Sequence, residues 1–328
     1  MRRRDLIASG LAAFAAPTLP RTTFSQTKYP DRPIRLIVPF PPGGAFDTIG
    51  RPWADRMKDR LGTMVIENIG GAGGGLGAAA TARSRPDGYT LLLGGATTHI
   101  TEALLKTKPT FDPLNDLEPI SPVAVTAFAI AVHPSVPAKD LKEFIAYVKA
   151  NPGKVSYGSA GHGSLNHLTG ELFKLRAGIT DMPHVPYRGA GPGLTDLLAG
   201  QIPALVPAMT NIVLEHHRAG KVRILAVTHH KRLAAGPEVP TAVEQGFTDI
   251  VAPNFIGVFA PAGISKELVD MVSAANLKLL ADKPYQELLI SGTFELEPLL
   301  SPAEYKKYVE SEITRWRPIV TAMNIKID

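Results

Sequence analysis

The feature that most constrains the fold is PFPPGGAFD, Pro39 to Asp47, which directly follows the apolar run Ile34–Val38. A strand that ends in a glycine-rich turn and continues as a helix leaves backbone N–H groups without intrahelical partners. Such groups bind small anions without a cationic side chain. Further strand–glycine–helix turns follow along the chain, and together they predict a protein that binds a small carboxylate.

Short β-rich runs alternate with helical patterns, which indicates βα units and an α/β fold with largely parallel sheets. Helices are predicted over Ser265–Ala281 and Ser301–Met323, the second opened by a capping box from Ser301 to Glu304. The candidate strands are Arg35–Val38, Met64–Glu67, Thr90–Leu93, Ala129–Val132, Val155–Tyr157, His184–Tyr187, Ile202–Val206, Arg223–Val227 and Gly257–Ala260.

At 328 residues the chain is long for one core, so two domains are expected. The apolar runs Ala129–Val132 and Gly257–Ala260 each end at a proline and could carry the chain between domains. We therefore predict one domain from residues 29–127 plus 258–328 and a second from residues 128–257. Two crossings form a hinge that lets the domains close on a ligand.

The N-terminus, MRRRDLIASGLAAFAAP, has three arginines before a short apolar stretch. We interpret residues 1–26 as an export signal and leader, with Arg3-Arg4 approximating a twin-arginine signal. The alternative is an uncleaved basic N-terminus. The chain has no cysteine, which excludes a lipoprotein anchor and thiolate chemistry. These features predict a periplasmic protein, and the lack of a Lys/Arg block beyond the leader argues against nucleic acid.

The first candidate site is the turn at 39–47, where Phe40 lies beside the free amides of Gly44 and Ala45. Asp47 has two interpretations: it caps the following helix, or it accepts an N–H from a ligand's amino group. The glycine-rich segment 69–80 nominally matches a dinucleotide fingerprint, but no acidic residue follows at the required distance. Tight helix–sheet packing is therefore the favoured interpretation, and a nucleotide-dependent oxidoreductase is the alternative function.

Two later turns offer similar chemistry. Ser164 is an N-cap or a ligand contact, and His167 is either a packed histidine or a ligand contact. Arg188 is either a counter-ion lining the cleft or a solvated turn residue. Thr97 and Thr98 add polar groups at the same edge. The candidate residues of the two turns are Ser159, Ala160, Gly161, Gly163, Ser164, His167, Tyr187, Arg188, Gly189, Ala190 and Gly191.

No constellation of catalytic groups accompanies these turns. Paired carboxylates, a Walker lysine and a Ser/His/Asp order are missing from the sequence patterns. The doublets His216-His217 and His229-His230 do not have metal-ligand spacing, since adjacent helical residues point about 100° apart. We therefore expect a binding protein rather than an enzyme, with no cofactor and no metal.

Taken in order, the motifs resemble the periplasmic receptors of tripartite tricarboxylate transporters, the TctC-like or Bug family. They are YPDRPIRLIVPFPPGGAFDTIGR, ENIGGAGGGLG, RPDGYTLLLG, ANPGKVSYGSAGHGSLNHLTGELFK, HVPYRGAGPGLTDLLAGQI, AGKVRILAVT, FAPAGI and TRWRPIVTAMNIKID. The resemblance implies a hinged two-domain, Venus-flytrap fold of the type II periplasmic-binding-protein class. It implies a carboxylate held at Gly44, Ala45 and Asp47, with the clasp completed by Ser159–Ser164, His167 and Tyr187–Gly191.

The resemblance also implies a partner, the permease subunits of a tripartite membrane transporter, with the receptor itself a monomer. A sensor subunit of a signalling system would use the same site and stays open as an alternative. The chain departs from the family pattern in two places. Ile202-Pro203 and Pro207 stand where the family usually has V-D and a second aspartate, and the loss of an acidic group at Pro207 favours a plain di- or aromatic carboxylate over an amino-bearing ligand. Phe255 stands where tryptophan is usual.

Overall fold

The computed structural model describes residues 29–296 and 298–327, so the predicted leader at residues 1–26 lies outside the described residues. Ten strands and ten α-helices alternate along most of this range, as predicted for an α/β fold. The strands are β1 (Ile34–Val38), β2 (Met64–Asn68), β3 (Thr90–Gly95), β4 (Leu117–Thr126), β5 (Ala129–Val132), β6 (Tyr157–Ser159), β7 (His184–Pro186), β8 (Ala204–Leu205), β9 (Arg223–Val227) and β10 (Asn254–Pro261).

The helices flank two separate sheets. They are α1 (Ala45–Leu61), α2 (Gly75–Ala82), α3 (Ala96–Leu104), α4 (Leu141–Ala150), α5 (Leu165–Ala177), α6 (Ala190–Leu198), α7 (Asn211–Arg218), α8 (Lys266–Leu280), α9 (Lys283–Ser291) and α10 (Pro302–Met323). No helix among these described residues is long and apolar enough to cross a bilayer.

Each sheet has five strands and mixed direction. The first has the order β2-β1-β3-β10-β4, in which β1 runs parallel to β2 and β3 while β10 is antiparallel to its neighbours. The second has the order β7-β6-β8-β5-β9, with β6 parallel to β7 and β8. The first sheet thus takes strands from both ends of the chain, and the second takes the strands between them.

Strand β4 is a strand that the sequence analysis did not predict. Its ten residues include Pro119 and Pro122, which cannot donate to a ladder and therefore argue against a strand. The structure accommodates both prolines because β4 is an edge strand. Its pairing with β10 is irregular where Pro119 and Pro122 lie opposite Phe259 and Gly257.

The chain passes between the sheets at two adjacent places, directly after β4 and again before β10. Hydrogen bonds tie these segments together. Phe128 N donates to Thr228 Oγ1 at 3.1 Å, Thr228 N donates to Phe128 O at 2.8 Å, and Ala252 N donates to Thr228 O at 3.0 Å. The Thr126 hydroxyl reaches Met209 O at 2.8 Å. The crossing therefore consists of two buried, hydrogen-bonded chain segments.

The apolar periodicity of the first helix explains how α1 packs. Ile49, Trp53, Met57 and Leu61, spaced four residues apart, are all buried against the first sheet. The indole Nε1 of Trp53 donates to the Asn276 side chain at 2.7 Å, so its one polar atom is also satisfied. This packing fixes the N-terminal end of α1 relative to the strand before it.

Candidate functional site

A cleft opens between the two sheets at the ends of several strands. It encloses about 560 Å³ of space, part of which is open to solvent. Residues after β1, β6, β7 and β8 line it, as expected where parallel strands end in an open α/β sheet. The lining residues are Phe40, Pro41, Pro42, Gly44, Ala45, Phe46, Thr97, Ala160, Asn166, Arg188, Gly189, Ala190, Gly191, Pro192, Ala208 and Asn254.

Two of the helices whose first turns line the cleft, α1 and α6, lack a side-chain cap. The N-cap residues are Gly44 for α1 and Gly189 for α6, and neither offers an acceptor. Serine, threonine or aspartate caps α4, α5, α7, α8 and α10 instead. The first-turn N–H groups of α1 and α6 therefore remain available, and the helix dipoles favour a negative charge beside them.

Asp47 holds the turn that carries the α1 amides. It is the third residue of α1 rather than its N-cap, which corrects the capping interpretation. Its carboxylate accepts from Gly43 N at 3.0 Å, Arg51 Nε at 2.9 Å and Asn68 Nδ2 at 3.0 Å. Although burial opposes ionisation, these hydrogen bonds and the charge of Arg51 hold the pKa of Asp47 below its usual range. The Asp47 carboxylate is thus ionised and stabilises the turn through these hydrogen bonds. It is not among the residues that line the cleft.

The cleft wall has one charged residue among its described lining residues, Arg188, and that side chain is exposed. The turn after β7 faces the turn after β1 directly. A Cβ atom added to Gly189 would lie 3.8 Å from Pro41 Cγ. Gly189 also has a φ of +109°, a conformation that side chains disfavour, so the residue type suits the backbone of this turn. The two uncapped helices therefore begin on opposite walls of one narrow space.

The predicted turn at 159–164 satisfies most of its polar groups internally. Gly161 N donates to Ser159 Oγ at 3.1 Å, Ser164 N donates to Gly161 O at 3.2 Å, and the Ser164 hydroxyl donates to the same carbonyl at 2.7 Å. Ser164 is the N-cap of α5, as the first interpretation predicted, and accepts from His167 N. Gly163 N donates to the His167 ring. Only Ala160 of this turn lines the cleft.

Two other candidates are likewise engaged away from the cleft. The Thr98 hydroxyl accepts from Gly95 N at 3.0 Å and donates to Gly95 O at 2.9 Å. The Tyr187 hydroxyl donates to Asp196 at 2.7 Å, and burial together with this bond raises the pKa of Tyr187 to about 12. Of the predicted site residues, the structure brings together at the cleft Phe40, Gly44, Ala45, Thr97, Ala160, Arg188, Gly189, Ala190 and Gly191. It does not place Asp47, Thr98, Ser159, Gly161, Gly163, Ser164, His167 and Tyr187 among the lining residues.

Sequence reasoning missed two amide side chains in the wall. Asn254, at the start of β10, is 2 % exposed, and its Oδ1 has no hydrogen-bond partner among the described residues. Asn166 on α5 donates to Val206 O at 2.9 Å. Asn254 could have been noticed as a polar residue opening an otherwise apolar strand. Its neighbour Phe255 is fully buried in β10 and is not among the cleft-lining residues.

The glycines at 69–80 serve packing. A Cβ atom on Gly77 would lie 2.8 Å from Ile69 O and 2.9 Å from Pro39 Cα, and one on Gly74 would lie 3.1 Å from the Phe40 ring. These distances are too short for a side chain. The absence of a Cβ atom at Gly74 and Gly77 therefore allows α2 to pack closely against the turn after β1. None of the described cleft-lining residues comes from this segment.

Comparison with known proteins gives consistent matches along the chain. The family described as "Tripartite tricarboxylate transporter family receptor" matches residues 49–325. Protein BugT of Bordetella pertussis is 35 % identical over 318 residues, which cover 96 % of this chain and 95 % of BugT.

Two similar solved structures contain carboxylates. The R. palustris protein Rpa4515 with adipate is 30 % identical, covers 91 % of this chain and 99 % of its own, and has a TM-score of 0.86. MatC from Rhodopseudomonas palustris with bound malate is 30 % identical, covers 89 % and 100 %, and has a TM-score of 0.83.

Proposed function

Because the chain belongs to the tripartite tricarboxylate transporter receptor family, we propose that it is a periplasmic solute receptor that captures a small carboxylate between two hinged domains. It delivers this ligand, as a monomer, to the permease subunits of a tripartite membrane transporter. The leader at residues 1–26 directs its export, and Arg3-Arg4 is consistent with the twin-arginine route.

The proposed domains are residues 29–127 plus 258–328 and residues 128–257. The division is supported by the strand composition of the sheets, because the first sheet takes its strands from the first set of residues and the second sheet from the second. The exception is β10 of the first sheet, which begins at Asn254, within residues 128–257. The hydrogen-bonded segments around Thr126, Phe128 and Thr228 form the hinge. Rotation about this connection changes the separation of the cleft walls while each sheet stays intact.

The observation that carries the proposal is the pair of uncapped helices that begin on opposite walls of one cleft. The amides of Ala45 and its neighbours in α1 hold one carboxylate. The amides of Ala190 and Gly191 on the second domain close over the same ligand, while Gly189 N donates to Ala160 O at 3.1 Å. Because both sets are backbone groups, the donors are already ordered before the ligand arrives, which reduces the entropic cost of binding.

The rest of the wall indicates the ligand class. Phe40, Pro41 and Pro192 offer apolar contact to a short carbon skeleton, while Arg188 stands at the mouth for a second negative group. The unpartnered Oδ1 of Asn254 suits a hydroxyl donor on the ligand. A small dicarboxylate, with or without a hydroxyl, meets all three features, and the adipate and malate bound to relatives support the same class.

A binding role also agrees with the chemistry of the wall. The described lining residues include no carboxylate, histidine or lysine, the side chains that most often transfer protons in catalysis. We therefore propose that the cleft retains its ligand unchanged and releases it on opening.

A thermal-unfolding screen tests the proposal. Adipate, malate and aromatic carboxylates are compared with the matched diamides, sugars and amines at equal concentration. A ligand present at 100 times its Kd adds about 2.7 kcal/mol to the free energy of unfolding. We expect the melting temperature to rise with one or more carboxylates and with none of the neutral or cationic compounds. Stabilisation by sugars or amines alone would contradict the proposal.

A further inference from the structure

Three histidines from separate parts of the second domain lie close together. His162 lies on the turn after β6, His167 lies on the first turn of α5, and His184 begins β7. One ring nitrogen of each lies within 4.8 Å of those of the other two. The ring centroids are 4.9 Å apart for His162 and His167 and 3.9 Å apart for His167 and His184.

We propose that His162, His167 and His184 form a binding site for a transition-metal dication such as Zn²⁺. Imidazole nitrogen is a preferred ligand of Zn²⁺, Co²⁺, Ni²⁺ and Cu²⁺ and a poor one for Mg²⁺ and Ca²⁺. Three imidazoles are also a ligand set found in proteins that bind Zn²⁺ with one position open. The site is separate from the carboxylate cleft, since none of the three residues lines it.

The hydrogen bonds around the rings leave lone pairs for a metal. Ser159 Oγ lies 2.7 Å from His184 Nε2 and 3.1 Å from Gly161 O, and in the tautomer in which Nε2 donates to this hydroxyl, Nδ1 of His184 keeps its lone pair. This is the arrangement that orients a metal-binding histidine through its second nitrogen. The Nδ1 of His167 accepts only a 3.2 Å bond from Gly163 N, which a cation could displace.

The charges beside the three rings do not oppose a cation. The positive charge of Lys174 is offset by its ion pair with Glu171 at 2.9 Å, which leaves little net charge to repel a cation.

The remaining requirement is a small movement of the rings. Metal–nitrogen bonds of about 2.0–2.1 Å bring two ligand nitrogens to about 3.3 Å from each other. The stacked rings of His167 and His184 must rotate about their terminal side-chain bonds, and His162 must approach. His162 is exposed and lies between Gly161 and Gly163, with φ of +138° and +77°, so its turn has room to adjust.

The test uses untagged protein freed of metal by dialysis against a chelator. Co²⁺ is titrated while its visible absorption is recorded, Zn²⁺ is titrated by calorimetry, and Mg²⁺ is the negative metal control. We expect one Co²⁺ and one Zn²⁺ per chain, no Mg²⁺ binding, and a higher melting temperature with Zn²⁺. His162→Ala should weaken Zn²⁺ binding at least about 10-fold, by comparison with losses of 10- to 100-fold when outer partners of metal sites are removed.

His230→Ala is the matched control, because His230 is an exposed histidine of the second domain outside the cluster. It should bind Zn²⁺ as the parent chain does. His184→Gln provides a second test, with circular dichroism showing that each variant is folded. The proposal is overturned by the absence of saturable Zn²⁺ binding, by unchanged affinity in folded His162→Ala and His184→Gln, or by an equal loss in His230→Ala.

Discussion

Replacing Ala45 by proline removes a single hydrogen-bond donor from the cleft. Ala45 is the first residue of α1, a position at which proline is favoured because its missing N–H has no intrahelical acceptor. The preceding residue, Gly44, is extended with φ −81° and ψ 171°, as a residue before proline should be. We therefore expect Ala45→Pro to fold normally and to lose one amide facing the ligand.

The expected loss follows from the charge of the ligand. A hydrogen bond to a charged group contributes about 1.5–3 kcal/mol, which corresponds to a Kd higher by about 10- to 150-fold. This change in Kd is measured by isothermal titration with the carboxylate that gives the largest thermal shift. Ala45→Val retains the N–H while adding similar volume, so it separates the lost donor from crowding. Lys266→Pro makes the same change at the first residue of α8, far from the cleft, and should leave Kd unchanged.

Arg188→Ala distinguishes amide binding from a cationic clamp. Since Arg188 is exposed, its pairing with a ligand is worth about 0–1 kcal/mol, or less than about 6-fold in Kd. Arg188→Ala should raise the Kd of a dicarboxylate and leave the Kd of a monocarboxylate unchanged. If Arg188→Ala abolished binding while Ala45→Pro bound normally, the reasoning from uncapped helices would be refuted.

Three further outcomes are expected. Asp47→Asn removes the ion pair with Arg51 and should lower the free energy of unfolding by about 1–3 kcal/mol in denaturant titrations, while raising Kd for every carboxylate. Asn254→Ala should raise the Kd of malate by about 2- to 10-fold and leave that of adipate nearly unchanged, as calorimetry would show. His167 and His184 bind protons near pH 6.5 when unfolded but only near pH 3 when folded. Between these values the unfolded chain binds more protons, so the melting temperature of the metal-free protein should fall as pH falls from 6.5, and the fall should be smaller in His184→Gln.

Elements of the fold could be predicted from the sequence where the local residue pattern favours the same structure as the tertiary contacts. The four-residue spacing of Ile49, Trp53, Met57 and Leu61 matches the buried face of α1, and Ser301 and Glu304 form the predicted capping box. Strand β4 was missed because its two prolines oppose a strand locally, and only its position at the sheet edge makes them tolerable.

The cleft could be predicted only in part, because some of its groups follow from local sequence and others from tertiary contacts. Glycine-rich turns after strands predicted the α1 and α6 helix ends, since the donors there are backbone groups that follow from local sequence. The turn at 159–164 is also rich in glycine and follows a strand. Its amides and carbonyls, however, form hydrogen bonds with Ser159 and Ser164 inside the turn. Asn254 and the convergence of His162 with His184 depend on which strands pair, and no local spacing reveals that.

The most direct test of the central claim is the amide spectrum of the isotopically labelled protein during titration with its carboxylate. An amide that donates to a negative oxygen shifts its proton resonance downfield. The account predicts downfield shifts at Ala45 and Phe46 on α1 and at Ala190 and Gly191 on α6, saturating together with a single Kd. Saturable binding that leaves the amides at both helix ends unshifted would contradict it.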